Sequence, residues 1–142
     1  RRRGRAAPAG LVFPAMPRPF FILYVRDQPA AAAFWGAALN AEPVLDAPGM
    51  TEFDLGGASL GLMPEAGIRR LLDGAIDPAA SRTPRAELYL LVDDPEAAQA
   101  RALAAGAREL SPLKPRGWGD EAAYAQDPDG HVLAFARKLE SP

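Results

Sequence analysis

The chain has a single histidine, His131, and no cysteine. The lack of cysteine removes disulfides, thiolate nucleophiles and Cys-based metal sites, and it leaves the redox compartment undetermined. A lone imidazole limits histidine-based metal centres and general-base schemes. No P-loop, Rossmann glycine pattern or zinc motif is present. What remains is a carboxylate among aromatics. Glu87 opens the apolar run ELYLLV, two residues from Tyr89, and Trp118 stands between Gly117 and Gly119 in the stretch KPRGWGD. A partly desolvated carboxylate can read a ligand's charge or act as a base. The alternative for Glu87 is a strand-edge residue paired with Arg26, Arg85 or Arg116. A tryptophan flanked by glycines in a long loop points to a cavity wall or lid rather than to simple packing.

These residues need elements to position them. Phe20 to Val25 (FFILYV) is a strand signal. Asp27 then occupies an N-cap position, with Pro29 just inside a helix that runs to Asn40, a residue suited to a left-handed C-terminus. Trp35, at helical spacing, reads as core. Short strands are expected around Pro43–Leu45, Thr51–Leu55 and Ala58–Met63, with Gly56-Gly57 forming the last turn. Residues 67–85 break the pattern and read as a linker, with one short amphipathic turn at IRRLL. The second half repeats the plan: a strand from Glu87 to Val92, a helix begun by Asp94-Pro95 and ended at Gly106, the strand RELSP, the Trp118 loop, then EAAYAQD, the turn Asp127-Pro128-Asp129-Gly130 and HVLAFA. Val25 and Asp27 match Val92 and Asp94 at one common offset. The closing turns match at a slightly larger offset, whose extra residues fall in the Trp118 loop. An internal repeat of strand and helix together sets the fold class: α+β, two βαβββ modules forming a curved mixed sheet around a cavity.

The 142 residues make about one domain. Hydrophobic residues are 49%, charged residues 24%, and the net charge is -2. Nothing in that balance points to nucleic acid or acidic lipid. The apolar runs fall well short of the roughly 20 residues of a membrane helix, so a cytoplasmic setting is the default expectation. Residues 1–15, rich in Arg, Ala and Pro, read as a flexible leader or non-native extension with Met16 as the working start. Residues 16–142 then form one domain, with module 1 about 19–66, the linker 67–85 and module 2 about 86–138.

Alternation along a strand assigns faces. Phe21, Leu23 and Val25 would pack on the first helix, and Phe20, Ile22 and Tyr24 would face the cavity. By the same count Ser59, Gly61 and Met63 face it, as do Glu87, Tyr89 and Leu91, and Val132, Ala134 and Ala136. His131 falls in the turn before the last strand, where a structural role is favoured and an acid–base role stays open.

The opening strand with Val25-Arg26-Asp27, Phe34-Trp35 in the helix, and the ending Trp118-Gly119-Asp120, Tyr124 and DPDGHVLAFA resemble the vicinal oxygen chelate superfamily. That superfamily includes glyoxalase I, extradiol dioxygenases, and fosfomycin- and bleomycin-resistance proteins. The resemblance covers residues 19–138, and the DPDGH segment is its most specific part. Metalloenzymes of the superfamily hold a divalent ion with His and Glu side chains from four strand positions. Carried over, these are Phe20, Gly61, Glu87 and Ala134, of which only Glu87 can ligate. The resemblance therefore implies the metal-free, ligand-sequestering branch, with no cofactor and no metal. It implies a small-molecule site that includes Phe20, Tyr24, Met63, Glu87, Tyr89, Trp118 and Tyr124. Phe53 and Met50 would extend the wall, and Asp120 and Glu121 would charge the rim. Such a cavity suits a flat, partly aromatic molecule held by stacking and one carboxylate, with positive charge on the ligand a further match. Sequestration of an antibiotic or toxic metabolite is one function; a lyase or dioxygenase-like enzyme with displaced ligands is another; an interaction domain with a vestigial pocket is a third. A homodimer is expected, because the superfamily pairs modules within or between chains and free sheet edges invite pairing.

Overall fold

The computed structural model describes residues 18–80, 84 and 86–140. The leader 1–15, Met16 and part of the linker lie outside the described residues.

In the first module the strands β1 (Phe20–Val25), β2 (Leu45–Ala47), β3 (Met50–Asp54) and β4 (Ser59–Pro64) form one sheet in the order β1-β4-β3-β2. β1 runs parallel to β4 and the other pairs are antiparallel. The second module repeats this with β5 (Glu87–Leu91), β6 (Arg108–Pro115), β7 (Asp120–Gln126) and β8 (Val132–Lys138), in the order β5-β8-β7-β6. β5 is parallel to β8. A parallel pair needs a crossover, and helices α1 (Gln28–Leu39) and α3 (Pro95–Ala104) lie in these connections. The two sheets remain separate and do not close into one around a cavity.

Both helices start as the sequence indicates. Asp27 Oδ1 accepts from the Ala30 amide at 3.0 Å and Asp94 Oδ1 from the Ala97 amide at 3.0 Å. α1 ends on Asn40 at φ 51, the left-handed turn that exposes the last carbonyls to new donors. α1 and α3 pack against each other, each with its sheet, and a single core results. Phe34, Trp35 and Ala38 meet Ala98, Ala102, Leu133 and Phe135 in it. The rings of Phe34 and Trp35 are edge to face, 5.4 Å between centroids.

Three sequence expectations change. A helix, α2 (Glu65–Leu71), straddles the boundary placed at residue 66, so the linker begins as a continuation of β4. The long Trp118 loop is a tight turn, because Lys114 and Pro115 belong to β6 and Asp120 to β7. Phe53 is fully buried on the helix side of β3, where it pairs with Leu60, and so it lines no ligand wall.

The modules are also joined at their ends. The Arg26 amide, just past β1, donates to Asp129 Oδ1 at 2.9 Å, and its guanidinium reaches the same oxygen and the Pro128 carbonyl.

Candidate functional site

Each sheet has one face covered by helices and one open face. On β1, Val25 is fully buried and Leu23 packs on the core, whereas Phe20 and Ile22 are exposed and Tyr24 is half-buried. The strand phase therefore holds, with one departure: Phe21, assigned to the helix side, is 52% exposed. It sits near the strand's start, and no helix residue covers it there.

On the open face of the first module the Phe20 ring lies directly over Gly61, and Met50 Sδ would be 2.9 Å from any Cβ added at that glycine. Tyr24 and Met63 sit side by side at the far end of the β1–β4 pair, both half-buried. Phe20, Tyr24, Met63 and Met50 thus share one apolar surface.

The open face of the second module is polar and hydrogen-bonded. Tyr89 on β5 donates to Asp120 Oδ2 at 2.7 Å, and Trp118 Nε1 donates to the Tyr89 hydroxyl at 3.0 Å. The indole, 59% exposed, is tethered here by its edge only. Tyr124 is on the same face of β7, opposite Ala134, and the Arg116 guanidinium stacks 5.1 Å from its ring centroid. Burial raises the phenols of Tyr89 and Tyr124. The Asp120 carboxylate adds to this for Tyr89, against the opposing Trp118 hydrogen bond, and the Glu87 charge adds to it for Tyr124. Glu87, Tyr89, Trp118 and Tyr124, distant in sequence, therefore lie in one neighbourhood.

Of the arginines proposed for Glu87, Arg26 pairs with Asp129. Arg116 bonds Ser111 Oγ at 2.8 Å and the carbonyls of Pro112 and Ala122. Arg85 lies outside the described residues. Glu121, expected at the rim, faces the other way and pairs with Arg137. Asp120 does reach the site, through Tyr89.

Between the two modules the free edges of β1 and β5 border a cleft of about 620 Å³. Phe20, Ile22, Glu87, Tyr89, Trp35 and His131 are among its lining residues. This cleft joins the apolar first module to the polar second one. Tyr24, Met63, Trp118 and Tyr124 border the open faces beyond it and are not part of its lining.

Sequence reasoning leaves Arg116 and His131 outside the site. The sequence offers Arg116 only as a possible partner for Glu87, although its place two residues from Trp118 is a usable clue. For His131 the sequence favours a structural role in the turn. It does hold the turn, with Nδ1 2.8 Å from Asp127 Oδ2, but it also borders the cleft.

The four positions that carry metal in superfamily enzymes can be tested directly. Phe20 covers Gly61 with its ring, and Ala134 sits between Tyr89 and Tyr124 on neighbouring strands. Glu87 is the one donor. Among the described residues no group of three His, Asp or Glu side chains is placed to hold an ion. One carboxylate among aromatic and aliphatic neighbours does not fit a divalent metal, and no chemistry through such an ion follows.

Paired βαβββ modules with an open face and a cleft between first strands define the vicinal oxygen chelate class. The comparisons agree. The family model for the glyoxalase-like domain matches residues 21–136, and the chain belongs to that family. Among solved structures it is similar to a glyoxalase-related enzyme from Fulvimarina pelagi, at 23% identity and TM-score 0.76, over 87% of this chain and 89% of the other. It is also similar to a glyoxalase/bleomycin resistance protein/dioxygenase family enzyme from Burkholderia phytofirmans, at 20% identity and TM-score 0.77, over 87% and 100%. A protein from Agrobacterium tumefaciens reaches 30% identity, TM-score 0.67, over 88% and 100%. No curated protein matches the chain significantly. No helix among the described residues is long and apolar enough to cross a membrane.

Proposed function

We propose that this glyoxalase-family protein binds a small, flat, partly aromatic molecule without a divalent metal, and that it works by sequestration rather than turnover. One observation carries the reading: the Phe20 ring occupies the space over Gly61 where a superfamily enzyme would place ligating atoms. An aromatic ring there favours stacking and excludes the water that a metal centre needs. Glu87 at the cleft and the Tyr89–Asp120 pair on the open face beside it supply acceptors, which suits a ligand carrying donors or positive charge. An antibiotic or a toxic metabolite has this character, and the cytoplasm is the setting proposed for it.

A homodimer belongs to the same reading. β1 and β5 each pair on one side only, and Phe20, Phe21, Ile22 and Leu91 are exposed along them. Covering those edges with a second copy would remove an aggregation-prone surface.

The test combines elemental analysis with a thermal-shift screen of planar aromatic cations, since a specific ligand raises the melting temperature by mass action. Less than a tenth of an equivalent of metal and a saturable shift are expected. Trp118→Ala should then weaken binding by about 1–3 kcal/mol, as for loss of an aromatic anchor, with little change in folding. About one equivalent of bound transition metal after mild purification would overturn the proposal.

A further inference from the structure

We propose that the turn 127–131 is a proton-operated clasp between the modules, in which an imidazolium at His131 stands between carboxylates of both modules and holds the turn on Arg26, just past the end of β1. The clasp belongs to the module junction and needs no ligand. What it adds to the cleft between β1 and β5 is control over how firmly the two modules are held together.

The links of the clasp are hydrogen bonds. Asp127 Oδ1 accepts from the amides of Asp129 at 3.0 Å and His131 at 2.6 Å, and its Oδ2 faces His131 Nδ1 at 2.8 Å. A carboxylate with two backbone donors stays ionised, so Nδ1 carries a hydrogen. The turn held in this way presents Asp129, whose side chain is nearly buried, to the first module. Asp129 Oδ1 accepts from the Arg26 amide at 2.9 Å and from Arg26 Nε at 3.3 Å, and the guanidinium also donates to the Pro128 carbonyl. β1 and β4 run parallel, with Val25 opposite Pro64. Arg26 and Glu65, the next residue of each, therefore leave the first sheet at neighbouring points, and Glu65 opens α2. Arg26, Asp27, Asp127 and Asp129 border a cavity of about 220 Å³, so the turn has room to shift against the first module.

Charge decides when the clasp holds. Burial lowers the His131 pKa, but the Asp127 hydrogen bond and charge, with Asp129 of the same turn and Glu65 of the first module, raise it overall. Glu87 of β5 lines the same cleft as His131. Arg26 is the opposing cation, but its side chain is exposed and water screens it. Asp27 accepts from the Ala30 amide. With the imidazolium present, Asp127 makes a charge-assisted bond, and His131 attracts Glu65 across the junction. Without it, Asp127 and Asp129 of one module meet Glu65 of the other as like charges. Folding raises the basicity of His131, so the clasp is complete below about pH 6.5 and loosens as pH rises through the folded value.

The test is NMR of the full chain, whose single histidine gives one imidazole titration. At about pH 6.5 wild type should be more than half protonated. Glu65→Gln, which keeps the size and removes the first-module charge, should lower that fraction. The Arg26 amide, bound to Asp129 Oδ1, reports on the junction. Its protection against hydrogen exchange, relative to an unstructured chain at the same pH, should fall about fivefold between about pH 5.5 and about pH 8. The Ala30 amide, on the Asp27 cap, should show no such step and controls for general loosening. The Arg26 step should vanish in His131→Asn, which keeps an N–H toward Asp127, and shrink below about twofold in Glu65→Gln. A wild-type midpoint at or below about pH 6.5, a titration unmoved by Glu65→Gln, or Arg26 protection that ignores pH would each overturn the clasp. Should a variant fail to fold, the wild-type exchange profile decides. Arg26 loosening while Ala30 holds supports the clasp; the two loosening together would mean that His131 only stabilises the fold, and the clasp falls.

Discussion

Tyr89→Phe removes one oxygen from the centre of the second module's open face. That oxygen donates to Asp120 at 2.7 Å and accepts from Trp118 at 3.0 Å. A hydrogen bond to a charged acceptor contributes about 1.5–3 kcal/mol where water is excluded. Both partners are half-buried, so Asp120 can recruit water and the loss should fall to about 1 kcal/mol. The Trp118 bond is exposed and adds about 0.5 kcal/mol at most. Urea unfolding should therefore show a midpoint drop worth about 1–1.5 kcal/mol at unchanged slope. The same substitution cuts the one hydrogen bond the indole makes among the described residues, so Trp118 fluorescence anisotropy should fall. Trp35, fully buried, serves as the invariant background. A loss under about 0.3 kcal/mol with unchanged anisotropy would refute the reasoning, because it would mean that the Trp118–Tyr89–Asp120 chain holds nothing in place.

Asp27→Ala and Asp94→Ala should each cost about 1 kcal/mol by chemical denaturation, since each removes one N-cap bond. Phe135→Ala, in the middle of β8, should cost about 3–5 kcal/mol and leave the fold marginal against a total of about 5–15 kcal/mol, whereas Phe21→Ala should cost well under 1 kcal/mol; comparable losses would mean that the core is misplaced. The His131 pKa is raised on folding, so its contribution is complete below the ordinary value near 6.5 and is lost as pH rises through the folded value. A melting temperature that falls across that window in wild type but not in His131→Asn is the expected result.

Local chemistry was legible wherever it acts over a few residues. Asp27, Asp94, Asn40 and the two glycine-bearing hairpin turns announced where elements begin and end, and the repeat placed the modules. The Trp118 segment was misread because its prolines and glycines look like a loop. Yet β6 is an edge strand, and an edge tolerates Pro112 and Pro115 because the missing N–H would face solvent. Register shifts at Ser111 absorb the rest of the irregularity. The extra residues of the second module thus lengthen β6 and β7 and the turn between them. Alternation gave Phe21 its face but not whether a helix covers it, and Phe53, set on the wall with Met50, stands three residues from it on β3 and so points to the opposite face. The approach of His131 and Trp35 to one cleft depends on how two modules meet, which no local pattern encodes.

The duplicated turn places one device in two media. In the first module Asp54 Oδ1 accepts from the Gly56 amide and holds Arg18 at 3.0 Å, with both side chains more than half exposed. In the second, Asp127, its side chain only 1% exposed, accepts from the Asp129 amide and holds His131, whose side chain is 26% exposed. Water and ions reach the first pair freely, and about 1 M salt shortens the screening distance to about 3 Å. The second pair, with its carboxylate out of the water, feels that change less. The molecule thus contains its own electrolyte control: adding salt should loosen the Arg18 pair while the titration of His131 hardly moves.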